Sequence, residues 1–195
     1  MEARRLQELW DHHEIRQLLS TYCRTCDRAD EVGMAATYCD DSWDDHGPKK
    51  MPGKPFSVAT IQEAIETTSV VSHQLGQSLI EVDGDEAGAE TYFIATLLRN
   101  SDDGGQIFNQ LGGRYVDHLL RENGQWLIKR RLCVREWSVT NPQNGDWLAG
   151  AGFVETRRGQ EDVSYAMLGI AHQGQLWHDA SVVKHGQANQ PGSRS

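Results

Sequence analysis

Apolar side chains recur three to five residues apart at the start of the chain, and from about residue 73 they alternate instead. Leu6, Trp10, His13, Leu18, Tyr22 and Cys26, with charges between them, predict a helix over 6–28. The stretch "EVGMAATY" predicts a short second helix at 31–38, and the acidic "CDDSWDDHG" follows it. Glycines and prolines make "GPKKMPGKP", 47–55, a loop. Ser57 or Thr60 suits the cap of a third helix running through "IQEAIETTSVV".

Three hairpin signals come next, "DGDE", "SDDGG" and "ENG", and they separate four runs at 73–82, 87–99, 106–121 and 125–138. Long strands joined by tight turns make a strongly bent antiparallel sheet. Helices first and strands afterwards predict an α+β fold: a cone-shaped curved sheet, or α+β barrel, with the N-terminal helices on its concave face. Such a cone can hold a cavity. The pattern fades after residue 140, so the chain divides into a domain over 1–140 and an extension over 141–195. Within the extension "SYAMLGIA" reads as ordered and "GQANQPGSRS" as disordered.

The last run alternates most clearly. In "QWLIKRRLCVREW", Trp126, Ile128, Arg130, Leu132 and Val134 share one face, and Leu127, Lys129, Arg131, Cys133, Arg135 and Trp137 the other. Lys129 suits a solvated face. Arg131 and Arg135, flanked by a thiol and an indole, fit either solvent or a cavity.

Composition narrows the function. The 195 residues carry a formal net charge of −9, which argues against nucleic acid as a partner. No charged start leads into an apolar run, and no stretch is apolar for long enough to span a membrane, so a cytoplasmic protein without a membrane partner is expected. Cys23 and Cys26 have the spacing of a redox or zinc pair, but no second ligand pair exists at zinc spacing and both fall inside a helical pattern. Reduced thiols, and no metal, are the expectation. Asp40, Asp41, Asp44 and Asp45 share only composition with a cation site, because their spacing matches no standard loop.

Asp27 stands at the end of a helix, where the dipole disfavours an acid. His73 opens the first long run, directly after the third helix. A buried aspartate needs a donor and a buried arginine an acceptor, so one cavity can satisfy both. Trp43, His46 and Tyr115 suit a substrate-binding wall. Trp43 and Tyr115 also read as aromatic core, and His46 as a second acid/base or a surface residue.

The order of these motifs resembles the SnoaL-like proteins of the nuclear transport factor two superfamily. The resemblance rests on "EIRQLLSTYCRTCDRAD", "YCDDSWDDHG", "SHQLGQSLIEVDGDEAGAETYF" and "GGRYVDHLLRENGQWLIKRR", and covers about residues 6–138. It implies the same α+β cone. Dehydrochlorinase members match at Asp27, His73 and Arg131, and bile-acid dehydratase members at Tyr22, Asp27, His73 and Arg135. Those dehydratases carry a carboxylate where Ala95 stands here. The resemblance implies a cofactor-independent lyase acting on a small, largely apolar aromatic or polycyclic molecule, by dehydration or by retro-aldol-type deformylation of a lignin-derived aromatic. A ketosteroid-type isomerase or polyketide-type cyclase, and a non-catalytic binding or assembly module, are the alternatives. In the enzyme reading His73 is the base, Asp27 orients it, and Tyr22 with Arg131 or Arg135 stabilises an oxyanion. A homo-oligomer, a trimer before a dimer, is also implied.

Overall fold

The computed structural model describes residues 2–168 except 103, 144, 147 and 149. The elements are α1 (Glu2–Asp27), α2 (Glu31–Ala35), β1 (Tyr38–His46), β2 (Lys49–Met51), α3 (Gly53–Thr67), β3 (Thr68–Asp83), β4 (Glu86–Asn100), β5 (Gln106–Glu122) and β6 (Gln125–Gln143). One six-stranded sheet runs β2-β1-β6-β5-β4-β3. Only the β1–β6 pair is parallel. The class is therefore α+β, with an open, mixed sheet forming the cone wall. Helix α1 packs against β3 and β6, and α3 against β1 and β3.

The inward stripe of α1 is Ile15, Leu19, Tyr22, Cys23 and Cys26, and Asp11 begins it. Leu6, Trp10 and His13, expected in that stripe, are exposed. Asp11 is buried because it has donors: Nη2 of Arg121 lies 2.7 Å from its carboxylate and Nε2 of Gln7 3.0 Å. The Arg121 guanidinium stacks over the Trp126 ring, tying the helix to the β5–β6 hairpin.

Two expectations about elements change, and one segment gains an element. The acidic segment, assigned no element from sequence, is a strand. After the buried Tyr38 and Cys39 its inward positions are Ser42, Asp44 and His46, and this polar interior stretch gives no apolar alternation to detect. Helix α2 stops at Ala35, and Tyr38 already belongs to β1. Helix α3 begins at Gly53, so Ser57 and Thr60 lie inside it rather than capping it. It ends at Thr67, where the β-branched run "TTSVV" turns extended.

The last strand also differs from simple alternation. His118 pairs with Arg130 but Leu119 with Ile128, so Lys129 is an extra residue. This bulge switches the phase of the strand. Trp126 and Ile128 face inward before it, and Arg131 and Cys133 after it, all on the same side. A second bulge at Glu136 stands opposite Gly112 and Gly113. A Cβ on Gly113 would come 2.0 Å from the Val134 carbonyl oxygen, so only glycine fits there.

The chain separates into two compact units, and the second begins at Gly145. Within that unit a 3-10 turn (Gly159–Glu161) leads into α4 (Val163–Leu168), and Asp162 accepts from the Ser164 amide at 3.0 Å. The end of "SYAMLGIA" and all of "GQANQPGSRS" lie outside the described residues. No helix of the described residues is long and apolar enough to cross a membrane.

Candidate active site

Asp27 is the last residue of α1, and the turn after it explains its position. The Asp30 amide donates to the Thr25 carbonyl at 2.8 Å and the Ala29 amide to Cys26 at 3.1 Å, with Ala29 left-handed at φ 55°. This is a Schellman closure, which stops the helix sharply and reverses the chain. Asp27 then reaches β3, the end strand of the sheet. The His73 amide donates to one Asp27 oxygen at 3.0 Å, and Nδ1 of the same histidine lies 2.6 Å from the other. One carboxylate thus caps a free strand edge and fixes an imidazole. These two donors offset its poor placement against the helix dipole.

A second histidine is held in the same way. Asp44, sealed inside the fold, accepts from the Tyr38 hydroxyl and from Nδ1 of His46. The His46 ring stacks on Phe56, with centroids 4.7 Å apart at 26°. Burial pushes the Tyr38 phenol well above its ordinary range, so it stays a proton donor to Asp44.

Both histidines line one cleft, which holds about 580 Å³ of empty space counted to its open mouth. The walls are mainly aliphatic and aromatic: Phe56, Val71, Phe93, Leu97 and Leu111 among them. Ala95 is also part of the wall. With each Nδ1 committed to a carboxylate, Nε2 of each ring is the nitrogen available to a ligand.

Tyr22 and Tyr115 line the cleft too, 5.8 Å apart and edge to face. Burial raises both phenols well above their ordinary range. Cys133 is another wall residue, and burial pushes its thiol up to about 12. None of the four cysteines forms a disulfide.

The arginines depart from expectation. Arg131 has no solvent exposure and makes two bonds of 2.8 Å to Asp117, the residue opposite it on β5. Its guanidinium lies 4.0 Å from the Tyr22 ring centre and 4.1 Å from that of Tyr115. Burial opposes its charge, but the Asp117 carboxylate keeps it ionised well above its usual range. It stands behind the two tyrosines and is not itself a wall of the cleft. Arg135 is exposed and bonds Ser138, because the Glu136 bulge and the end of the core leave it outside. Trp43 is 42% exposed, on the outward side of β1. Arg135 and Trp43 are therefore corrected out of the site.

The structure brings together Tyr22, Asp27, His46, His73 and Tyr115. Sequence reasoning missed Tyr38, Asp44 and Thr60. The period-two spacing Ser42–Asp44–His46 was the available signal. The other acids of that segment face lysines: Asp40 pairs with Lys54, Asp41 with Lys129 and Asp45 with Lys50. Among the described residues, no group of three or more His, Cys, Asp or Glu could hold a metal ion.

Comparison with protein-family models matches residues 7–132 to the SnoaL-like domain, more than half of the chain. The chain belongs to the SnoaL-like family. Solved structures share the fold. A scytalone dehydratase-like protein from Novosphingobium aromaticivorans DSM 12444 is 20% identical, over 68% of this chain and 88% of that one, with a TM-score of 0.62. A protein of unknown function from Mycobacterium tuberculosis is 25% identical, over 67% and 75%, with a TM-score of 0.58. A hexachlorocyclohexane dehydrochlorinase of LinA type 3 from Novosphingobium barchaimii LL02 is 16% identical, over 72% and 95%, with a TM-score of 0.60. Comparison with curated protein sequences finds no match. What this SnoaL-like chain adds to the shared fold is the arrangement of its own side chains.

Proposed function

We propose that the protein is a cofactor-independent lyase that eliminates water from a small, largely apolar aromatic or polycyclic substrate. The observation that carries this reading is the pair of imidazoles, each held by a carboxylate at Nδ1, that line a single apolar cleft. Elimination needs a base at a C–H bond and an acid at the leaving oxygen. His73 takes the proton from carbon at Nε2, and Asp27 stabilises the imidazolium as it forms. The electron pair forms the double bond and expels the hydroxyl, which takes a proton from His46 and leaves as water. Proton exchange with solvent resets both rings. The Tyr22 phenol, kept protonated by burial and lining the cleft, would donate to an oxyanion that develops on a conjugated carbonyl. The same two rings would support aldehyde-releasing retro-aldol-type cleavage of an aryl β-hydroxy carbonyl compound: His73 takes the hydroxyl proton, the C–C bond breaks to release formaldehyde and an enolate, and His46 protonates the enolate carbon.

The test is turnover of aromatic β-hydroxy compounds with no added cofactor, with mass analysis of the fragment lost. Loss of water supports elimination, and loss of formaldehyde supports the cleavage. His73→Ala and His46→Ala are each expected to lower turnover by about 100-fold or more. Asp27→Asn should follow His73→Ala, because it favours the wrong tautomer. Full activity in both histidine variants would overturn the mechanism.

A further inference from the structure

Thr60 lines the cleft, and its hydroxyl is buried with no protein hydrogen-bond partner. This is unusual within its own helix. The other hydroxyls of α3 and its C-cap bond back to the carbonyl four residues earlier: Ser57 to Gly53 at 3.0 Å, Thr67 to Glu63 at 2.8 Å and Thr68 to Ala64 at 2.6 Å. Thr60 alone does not take that bond. It lies midway along the stripe Phe56–Thr60–Ala64, all three of which line the cleft. Leaving a hydroxyl buried and unpaired is costly, and the cost is removed when a ligand oxygen arrives.

We infer that Thr60 is a specificity-determining residue that hydrogen-bonds an oxygen of a neutral hydroxyarene bound in the cleft. The inference rests on the proposed reading of the cleft as a small-molecule site, and it names the substrate class. The ligand oxygen is taken as uncharged because no lysine or arginine lines the walls. Arg131, the nearby cation, is neutralised by Asp117 and sealed behind Tyr22 and Tyr115. Thr60 is one helical turn from Phe56, on which His46 stacks. A hydroxyarene anchored at Thr60 therefore presents its substituents to His46.

The experiment compares wild type with Thr60→Val, which keeps the side chain's shape and removes its hydroxyl. Binding of 2-naphthol and of 2-methylnaphthalene is measured by fluorescence titration, and melting is followed without ligand. Thr60→Val is expected to weaken 2-naphthol about tenfold, leave 2-methylnaphthalene unchanged, and raise the melting temperature of the ligand-free protein. Equal effects on the two ligands, or no effect on either, would overturn the inference. So would failure of 2-naphthol to bind wild type, or a lower melting temperature, which would mean the hydroxyl already has a protein partner. Turnover does not enter this test. A protein that passes it yet keeps activity in both histidine variants would retain the binding assignment and lose the lyase mechanism.

Discussion

Asp117 and Arg131 face each other across β5 and β6 with no solvent on either side chain. A buried ion pair of this kind adds little net stability over apolar residues, but losing one partner strands a charge. Asp117→Asn is therefore expected to destabilise the fold by about 3–5 kcal/mol, read as a lower urea midpoint. It should also loosen Tyr22 and Tyr115, which sandwich the guanidinium. A variant as stable as wild type would show that the guanidinium finds another acceptor. This pairing redefines Arg131: the sequence left it facing either solvent or a cavity, and its acceptor proves to be a neighbouring strand residue and not a substrate oxyanion. Nothing in the local pattern announces that partner, because Asp117 sits in an ordinary alternating run, "RYVDHLL".

At the scale of elements, α1 owes the aim of Asp27 to a turn built with the wrong residue type. Ala29 occupies the left-handed position that glycine favours. Ala29→Gly should stabilise the protein by about 0.5–1 kcal/mol, measured by thermal melting, with the His73 contact intact. A destabilised variant would show that the methyl group packs usefully. Most of the helices and hairpins were legible in the sequence, because glycine-bearing turns and apolar spacing report them directly. Strand β1 was not, because beyond Cys39 its inward residues are Ser42, Asp44 and His46 and its outward ones include Trp43. That inversion of the usual pattern hid the second histidine's carboxylate. The Lys129 bulge hid the phase of β6, since alternation counted straight through it assigns Ile128 and Arg131 to opposite faces. Asp27 was legible for a physical reason, because an acid at a helix C-terminus needs an explanation, and the motif order shared with the SnoaL-like proteins pointed to His73 as its partner.

For the whole molecule, we propose a homotrimer. Tyr92, Trp137 and Val139 are large apolar residues left partly exposed on the sheet, and a neighbouring copy would cover them. Light scattering at micromolar concentration is expected to give three times the chain mass; a monomer would sink the proposal. The parallel pairing of β1 with β6 has a further consequence, for the order of events on the ribosome. Asp44 of β1 lies opposite Arg131 of β6, so the second histidine's strand waits for almost the whole domain to be synthesised. Until then its only strand partner is the three-residue β2. A nascent chain that stops before Gln125 therefore carries β1 and β5 with open edges, each able to pair with other chains. Expression of residues 1–124 should place most of the product in the insoluble fraction, while residues 1–144 remain soluble. The site is thus a late product of translation, completed only when the last strand closes over the first.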